Sequence, residues 1–223
     1  MKKHILYSFR RCPYAIRARW ALRESFIKVE LREVDLKNKP VDLIKNSQNK
    51  TVPLLILKNG EIIEESLDII LWTLSNSKKS DQKKYFPNDI KEEILNIIRE
   101  NDQEFKLHLD RFKYASRFDE KDKDYHFYQA QNIIKNWNFL LKDNPKGNFW
   151  LIGENETIAD WCIWPFVRQF KIACEHQKID NHFDDSMIRW LNYFETNNNY
   201  KDVMNKYEIW NQSSKVSYFP LNI

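Results

Sequence analysis

Cys12 stands where thiol chemistry is favoured. It follows the short apolar run Ile5-Leu6-Tyr7 and is followed at once by Pro13 and a helical pattern. Proline is accepted at the first helical position, where its missing N–H would find no acceptor anyway. The cysteine therefore sits where a strand turns into a helix. The helix amino end directs unpaired N–H groups and a partial positive charge at the sulfur. Such a placement lowers a thiol pKa, and the thiolate is the nucleophile. The dipole contributes about 0.3–1 kcal/mol, and up to about 2 in sheltered sites. One pKa unit is about 1.4 kcal/mol, so the dipole moves the thiol by about one unit. Anything more must come from backbone N–H groups at the sulfur or from the adjacent Arg10 and Arg11. A lone cysteine is most often a small core residue; the strand–Cys-Pro–helix context argues the other way. Cys162 and Cys174 are about 120° apart around a helix and read as buried, inert thiols.

Composition excludes several classes. The 36 basic and 32 acidic residues are interspersed and leave a net charge of only +4, which gives no nucleic-acid footprint. The three glycines form neither a dinucleotide fingerprint nor a phosphate loop. Three widely spaced cysteines make neither a disulfide framework nor a metal cluster. An odd thiol count and the lack of a signal-peptide pattern lead to the expectation of a reducing cytoplasm. No stretch approaches the roughly 20 apolar residues that span a bilayer, so no membrane partner is expected.

The elements that must position Cys12 follow in order. Ile5–Phe9 reads as a buried strand, Pro13 to about Glu24 as a helix, and the alternating Val29–Val34 as a second strand, which makes a parallel βαβ unit. Pro40–Asn46 is a short helix. Thr51–Leu57 is a strand entered through Val52-Pro53, a bond expected to be cis. Lys58-Asn59-Gly60 turns it into Glu61–Ile63. Leu67, Ile70, Leu71 and Leu74 form a helical stripe with Ser66 as its expected N-cap. Lys78–Lys84 is polar and reads as a linker. Beyond it the pattern is helical. Ile90 through Phe112 forms one long helix, and further helices lie around Ala130–Leu141, Ala159–Cys174 and Met187–Phe194. The expected organisation is a small α/β domain over 1–78, a linker over 79–86 and an all-helical domain over 87–223.

A βαβα-ββα domain with Cys-Pro opening its first helix and Val-Pro before its third strand resembles the thioredoxin fold. With a helical domain attached, the chain resembles the cytosolic glutathione transferases. The details look most like the omega class. Cys12-Pro13-Tyr14-Ala15 followed by Arg17 and Arg19, the loop Leu36-Lys37-Asn38-Lys39-Pro40, Val52-Pro53, Glu65-Ser66, the capping pair Thr157 and Asp160, and Ile163-Trp164-Pro165 carry the likeness. It implies a thioredoxin-like α/β domain joined to an all-α domain, glutathione as co-substrate, no metal, and a homodimer. Cys12 would be the catalytic residue, and Lys39, Val52, Pro53, Glu65 and Ser66 would bind glutathione. Chemistry suits those roles. Ser66 at a helix amino end can receive the γ-glutamyl carboxylate, Glu65 the ammonium, Lys39 the glycyl carboxylate, and the Val52 backbone can pair with the cysteinyl backbone as an added strand does. In this family the acceptor lies between the cysteine and the helical domain, and Phe112, Tyr114, Phe118, Trp164 and Trp210 are candidates to line its pocket. Thr157 and Asp160 are structural caps.

The implied activity is a glutathione-dependent thiol transferase or reductase acting on a small or protein disulfide or an electrophile. Because Ala15 stands three residues after Cys12, no neighbouring thiol can close an internal disulfide. Two alternatives stay open: a conventional conjugating transferase, with Tyr7 or Ser8 supplying the activating hydroxyl, and a non-catalytic, transferase-like interaction protein.

Overall fold

The computed structural model describes residues 3–77, 82–117, 122–142 and 150–221. The chain forms two compact units: Met1–Gln82 together with Asn197–Ile223, and Lys83–Thr196.

In the first unit the order is β1 (Ile5–Ser8), α1 (Pro13–Glu24), β2 (Val29–Glu33), α2 (Val41–Asn46), β3 (Leu54–Ile56), β4 (Ile62–Ile63) and α3 (Ser66–Asn76). β1 runs parallel to β2 and antiparallel to β3, with Tyr7 opposite both Arg32 and Leu54. Ala15, Ala18 and Ala21 are buried without residue, which lets α1 pack closely on α3. The hairpin is closed by the Gly60 N–H donating to the Leu57 carbonyl at 2.9 Å, with Gly60 at φ +94°. It is thus a three-residue loop with glycine in the left-handed position at its end, a conformation glycine adopts without a Cβ penalty. The Val52–Pro53 bond is cis.

This unit also contains what the sequence pattern assigned to the helical domain. After α10 (Asn198–Val203) the chain returns as β5 (Ser217–Phe219), antiparallel to β2, and the sheet order is β4-β3-β1-β2-β5. Three residues are too few for periodicity to reveal a strand, and the partner edge lies nearly 190 residues earlier (Val29 opposite Phe219). Arg23 on α1 pairs with Asp202 on α10 at 2.7 Å, which ties the returning segment to the first helix.

The second unit is helical: α4 (Gln82–Tyr85), α5 (Lys91–Glu100), α6 (Lys106–Lys113), α7 (Lys123–Lys142), α8 (Ile158–Gln177) and α9 (Asp185–Thr196). The short α4 falls inside the segment read as linker. The long helix expected from Ile90 to Phe112 is interrupted by one π-helical turn, Asn101–Phe105. The extra residue per turn realigns the apolar stripe, so Phe105, Leu109 and Phe112 all reach zero exposure. Their neighbours are aromatic: Phe105 meets Trp137 at 4.9 Å, and Phe112 meets Phe127 at 5.2 Å and Phe170 at 5.6 Å between ring centroids.

The start of α8 is built on Thr157 and Asp160. The Ala159 N–H donates to Thr157 Oγ1 at 3.2 Å, while the Thr157 N–H donates to Asp160 Oδ2 at 2.9 Å. Asp160 Oδ1 also accepts from the Leu151 N–H at 3.0 Å and from Trp190 Nε1 at 2.9 Å. One carboxylate therefore joins the loop before α8, the cap itself and α9. Thr157→Ala, which removes one acceptor from this start, is expected to cost about 0.5–2 kcal/mol of stability, read as a lower denaturant midpoint.

Candidate functional site

Sheet topology gathers the candidate residues of the first unit. Cys12 follows the carboxyl end of β1. β3 runs the opposite way, so its entrance, Val52-Pro53, lies beside that end, and β4 returns to deliver the start of α3 there as well. Positions 12, 52 and 66 are thereby brought to one end of the sheet.

Cys12 is the N-cap of α1, with extended backbone (φ −75°, ψ 121°) and Pro13 beginning the helix. It is half-buried, whereas Cys162 and Cys174 are fully buried. Burial pushes the Cys174 thiol up to about 12, with Asp180 and Glu175 adding to it. The Cys12 N–H closes a turn onto the Phe9 carbonyl at 3.0 Å, and the Cys12 carbonyl accepts from the Ile16 N–H at 2.9 Å. The Sγ lies 3.6 Å from the Val52 carbonyl oxygen, so the cis-proline loop faces the thiol directly. The sulfur, the helix start and the Val52 main chain thus occupy one place.

The helix α3 begins one residue earlier than expected. Glu65 is its N-cap, exposed and without a side-chain cap, and Ser66 is the first helical residue. Ser66 is buried, and its hydroxyl accepts from Arg17 Nε at 2.9 Å. Arg17 itself is 2% exposed, with its guanidinium 4.8 Å from the Tyr14 ring centroid. A buried cation behind a serine at a helix amino end is a stronger carboxylate receptor than the serine alone. Sequence reading placed Arg17 in a motif without giving it a role, because its burial depends on α3. Lys39 Nζ donates to the Lys50 carbonyl at 2.9 Å, and Glu64 accepts from the Gln48 N–H at 2.7 Å. Both anchor the loop that leads into Val52.

Tyr7 and Ser8 are turned away from this role. Both have zero exposure. The Tyr7 hydroxyl accepts from Arg32 at 2.6 Å, and burial raises its pKa against the opposing pull of Arg32. The Ser8 hydroxyl accepts from Arg19. Neither hydroxyl is presented at an open surface.

The aromatic candidates separate. Trp210 is half-buried in the first unit, packed against the apolar cluster that Cys12 also touches. Its ring meets Tyr7 edge-on at 6.0 Å and lies 4.2 Å from the Arg32 guanidinium. Phe112 and Trp164 have zero exposure and sit in the core of the helical unit, Trp164 stacked on Phe194 at 5.4 Å. Close packing on every side leaves them no face for a ligand. Tyr114 is half-buried at the end of α6, with Lys113 Nζ 4.9 Å from its ring centroid. Phe118 lies outside the described residues. Arg11 is exposed over the Phe9 ring, so the basic group buried beside the Cys12 turn is Arg19 instead.

Among the described residues no group of three or more His, Cys, Asp or Glu side chains is placed to hold a metal ion, and no helix is long and apolar enough to cross a membrane.

Residues 6–80 match the family described as glutathione S-transferase, N-terminal domain. Glutathione S-transferase U22 of Arabidopsis thaliana is 36% identical over 86 residues, which are 38% of this chain and 38% of that protein. The chain therefore spans little more than a third of that relative. Glutathione S-transferase omega-1 of Rattus norvegicus is 25% identical over 178 residues, 79% of this chain and 70% of its own. Among solved structures, the Tau class glutathione S-transferase of mango, Mangifera indica, superposes with a TM-score of 0.74 at 22% identity, covering 92% of this chain and 94% of that one. A glutathione transferase family member from Pseudomonas fluorescens, solved with two glutathione bound, gives a TM-score of 0.76 at 19% identity over 91% and 92%.

Proposed function

We propose, from the match of residues 6–80 to the glutathione S-transferase N-terminal domain family and from the glutathione transferase fold, a glutathione-dependent thiol transferase or reductase of the omega kind. The observation that carries this reading is Cys12: half-buried at a helix start, 3.6 Å from the Val52 carbonyl, with Tyr7 and Ser8 hydroxyls engaged elsewhere. In the proposed cycle the Cys12 thiolate attacks the glutathione sulfur of a glutathionyl mixed disulfide. The S–S bond breaks, the acceptor leaves as its thiolate and takes up a proton, and Cys12 carries glutathione. A second glutathione thiolate then attacks that bond, leaves as oxidised glutathione and restores the Cys12 thiolate. One glutathione thiol is oxidised for each mixed disulfide reduced, the other half of the oxidised glutathione coming from that disulfide.

Glutathione is proposed to lie along the Val52-Pro53 edge. Its γ-glutamyl end would sit at Ser66, with Glu65 on its ammonium, and its glycyl carboxylate toward Lys39. Trp210 is the acceptor-side aromatic that shares a unit with Cys12. A cytoplasmic homodimer is part of the same proposal. Losing a charge-assisted hydrogen bond costs roughly 1.5–3 kcal/mol. Ser66→Ala and Glu65→Ala should therefore raise the KM for glutathione about ten- to a hundred-fold. Folding should change little in Glu65→Ala, whereas Ser66→Ala should also melt at a lower temperature, because its hydroxyl accepts from buried Arg17. Unchanged KM values in well-folded variants would remove both residues from the binding site.

A conjugating transferase is the second reading, supported by the likeness to the Tau class structure. Turnover of hydroxyethyl disulfide, dehydroascorbate and chlorodinitrobenzene, with and without Cys12→Ala, decides between them. The reductase reading expects the first two substrates to dominate and to depend on Cys12. Dominant chlorodinitrobenzene turnover that survives Cys12→Ala would establish the other.

A further inference from the structure

Arg19 is 1% exposed, and its guanidinium is shared among neutral oxygens. Nε donates to the Val203 carbonyl at 2.8 Å, and the terminal nitrogens donate to the Arg10 carbonyl at 2.8 Å, the Phe9 carbonyl at 3.4 Å and the Ser8 hydroxyl. Among the described residues no carboxylate oxygen lies within ion-pair distance of it. A buried cation held only by dipoles is costly unless an anion is close enough to feel it. The Phe9 carbonyl that it contacts is the same one that accepts the Cys12 N–H at 3.0 Å. The guanidinium therefore grips the turn whose last residue is the cysteine.

We propose that Arg19 is a positioning residue for Cys12: its buried guanidinium fixes the Ser8–Arg10 turn and supplies the permanent positive charge that favours the Cys12 thiolate. The inference rests on the reading of Cys12 as the reactive thiol. Burial brings Arg19 down only to about 10, so it stays charged at neutral pH, and the charges around it are Glu33, Cys12 and Tyr207, with Arg10 opposing. Glu33 counters it from β2. Its buried carboxylate accepts the Arg10 N–H at 2.7 Å, and its main-chain carbonyl accepts the Trp210 N–H at 2.8 Å. Both grips on the turn thus run through the returning segment: Val203 holds Arg19, and Trp210 holds Glu33.

The test is alkylation of Cys12 by iodoacetamide as a function of pH, read by mass spectrometry, with unlabelled Cys162 and Cys174 as the check on folding. An opposite charge within a few ångströms lowers a pKa by roughly one to three units. Arg19→Gln should move the Cys12 inflection up by about one pH unit or more and slow alkylation roughly tenfold below it. Arg19→Lys keeps the charge and should titrate close to wild type although its melting temperature falls. Glu33→Gln removes the opposing charge and should move the inflection down. A purely structural role would lower melting temperatures and leave every inflection in place. A folded Arg19→Gln with the wild-type inflection overturns the proposal, as does Arg19→Lys shifting as far as Arg19→Gln. Where Arg19→Gln does not fold, Glu33→Gln decides, and an unchanged or raised inflection is then fatal. Alkylation needs no glutathione: a protein inactive toward every disulfide fails the functional reading with the Arg19 effect intact, and an active reductase whose thiol ignores Arg19 fails this inference alone.

Discussion

Oxidised glutathione is expected to add one glutathionyl group to the protein, at Cys12, and reduced glutathione to remove it. Cys12 is the half-buried thiol, while Cys162 and Cys174 have zero exposure and the Cys174 thiol is pushed up to about 12. A buried thiol with a raised pKa holds almost no thiolate at neutral pH, so Cys174 competes neither as nucleophile nor as resolving partner, and burial keeps Cys162 from attacking reagents. Ala15 stands three residues beyond Cys12, and the mixed disulfide must therefore await an external thiol. Steady-state kinetics with glutathione and a disulfide substrate should be ping-pong. Cys12→Ser should abolish reductase turnover, the largest functional effect predicted for any single substitution, and should take up no glutathione at that position. A Cys12–Cys162 or Cys12–Cys174 bridge seen in intact protein during turnover would refute the monothiol scheme.

The largest effect on stability is expected at Asp160. Its carboxylate accepts from the Leu151 N–H, from the Thr157 N–H and hydroxyl, and from Trp190 Nε1, all of them buried. Asp160→Ala leaves these donors buried without a partner, at about 1–3 kcal/mol for each one that cannot relax. A loss of about 3 kcal/mol or more follows, well beyond that of Thr157→Ala. Burial pushes Asp160 up to about 6, because desolvation outweighs the hydrogen bonds to Leu151, Thr157 and Trp190. A folded pKa above the unfolded value near 3.8 means that the folded state holds the extra proton between them. The stability from this group is complete below about pH 4 and is lost as pH rises through about 6. Denaturant midpoints at pH 5 and pH 7 should show this component in the wild type and not in Asp160→Ala. Midpoints for Asp160→Ala equal to wild type at both values would show that the hub carries no stability.

Local chemistry was legible without the structure. Cys12-Pro13 at a strand–helix junction, the Gly60 turn, the cis Val52–Pro53 bond and the Thr157–Asp160 box each depend on residues within a few positions of one another. Propensity, capping and turn geometry act over that range, so the sequence alone determined the helix-start cysteine and the order of most elements. Tertiary structure decided whatever depends on distant partners. β5 exists because β2 offers it an edge, and Trp210 reaches the Cys12 cluster because its N–H bonds the Glu33 carbonyl at the end of β2. Aromatic type did not separate Trp164, stacked in the helical core, from Trp210 beside the thiol, since burial belongs to the packed layers and not to the side chain. Arg17 and Arg19 lie two residues apart on α1, yet one meets Ser66 of α3 and the other Val203 at the end of α10. Their charges are read in the sequence; the burial that turns each into part of a site comes from the helices packed over α1.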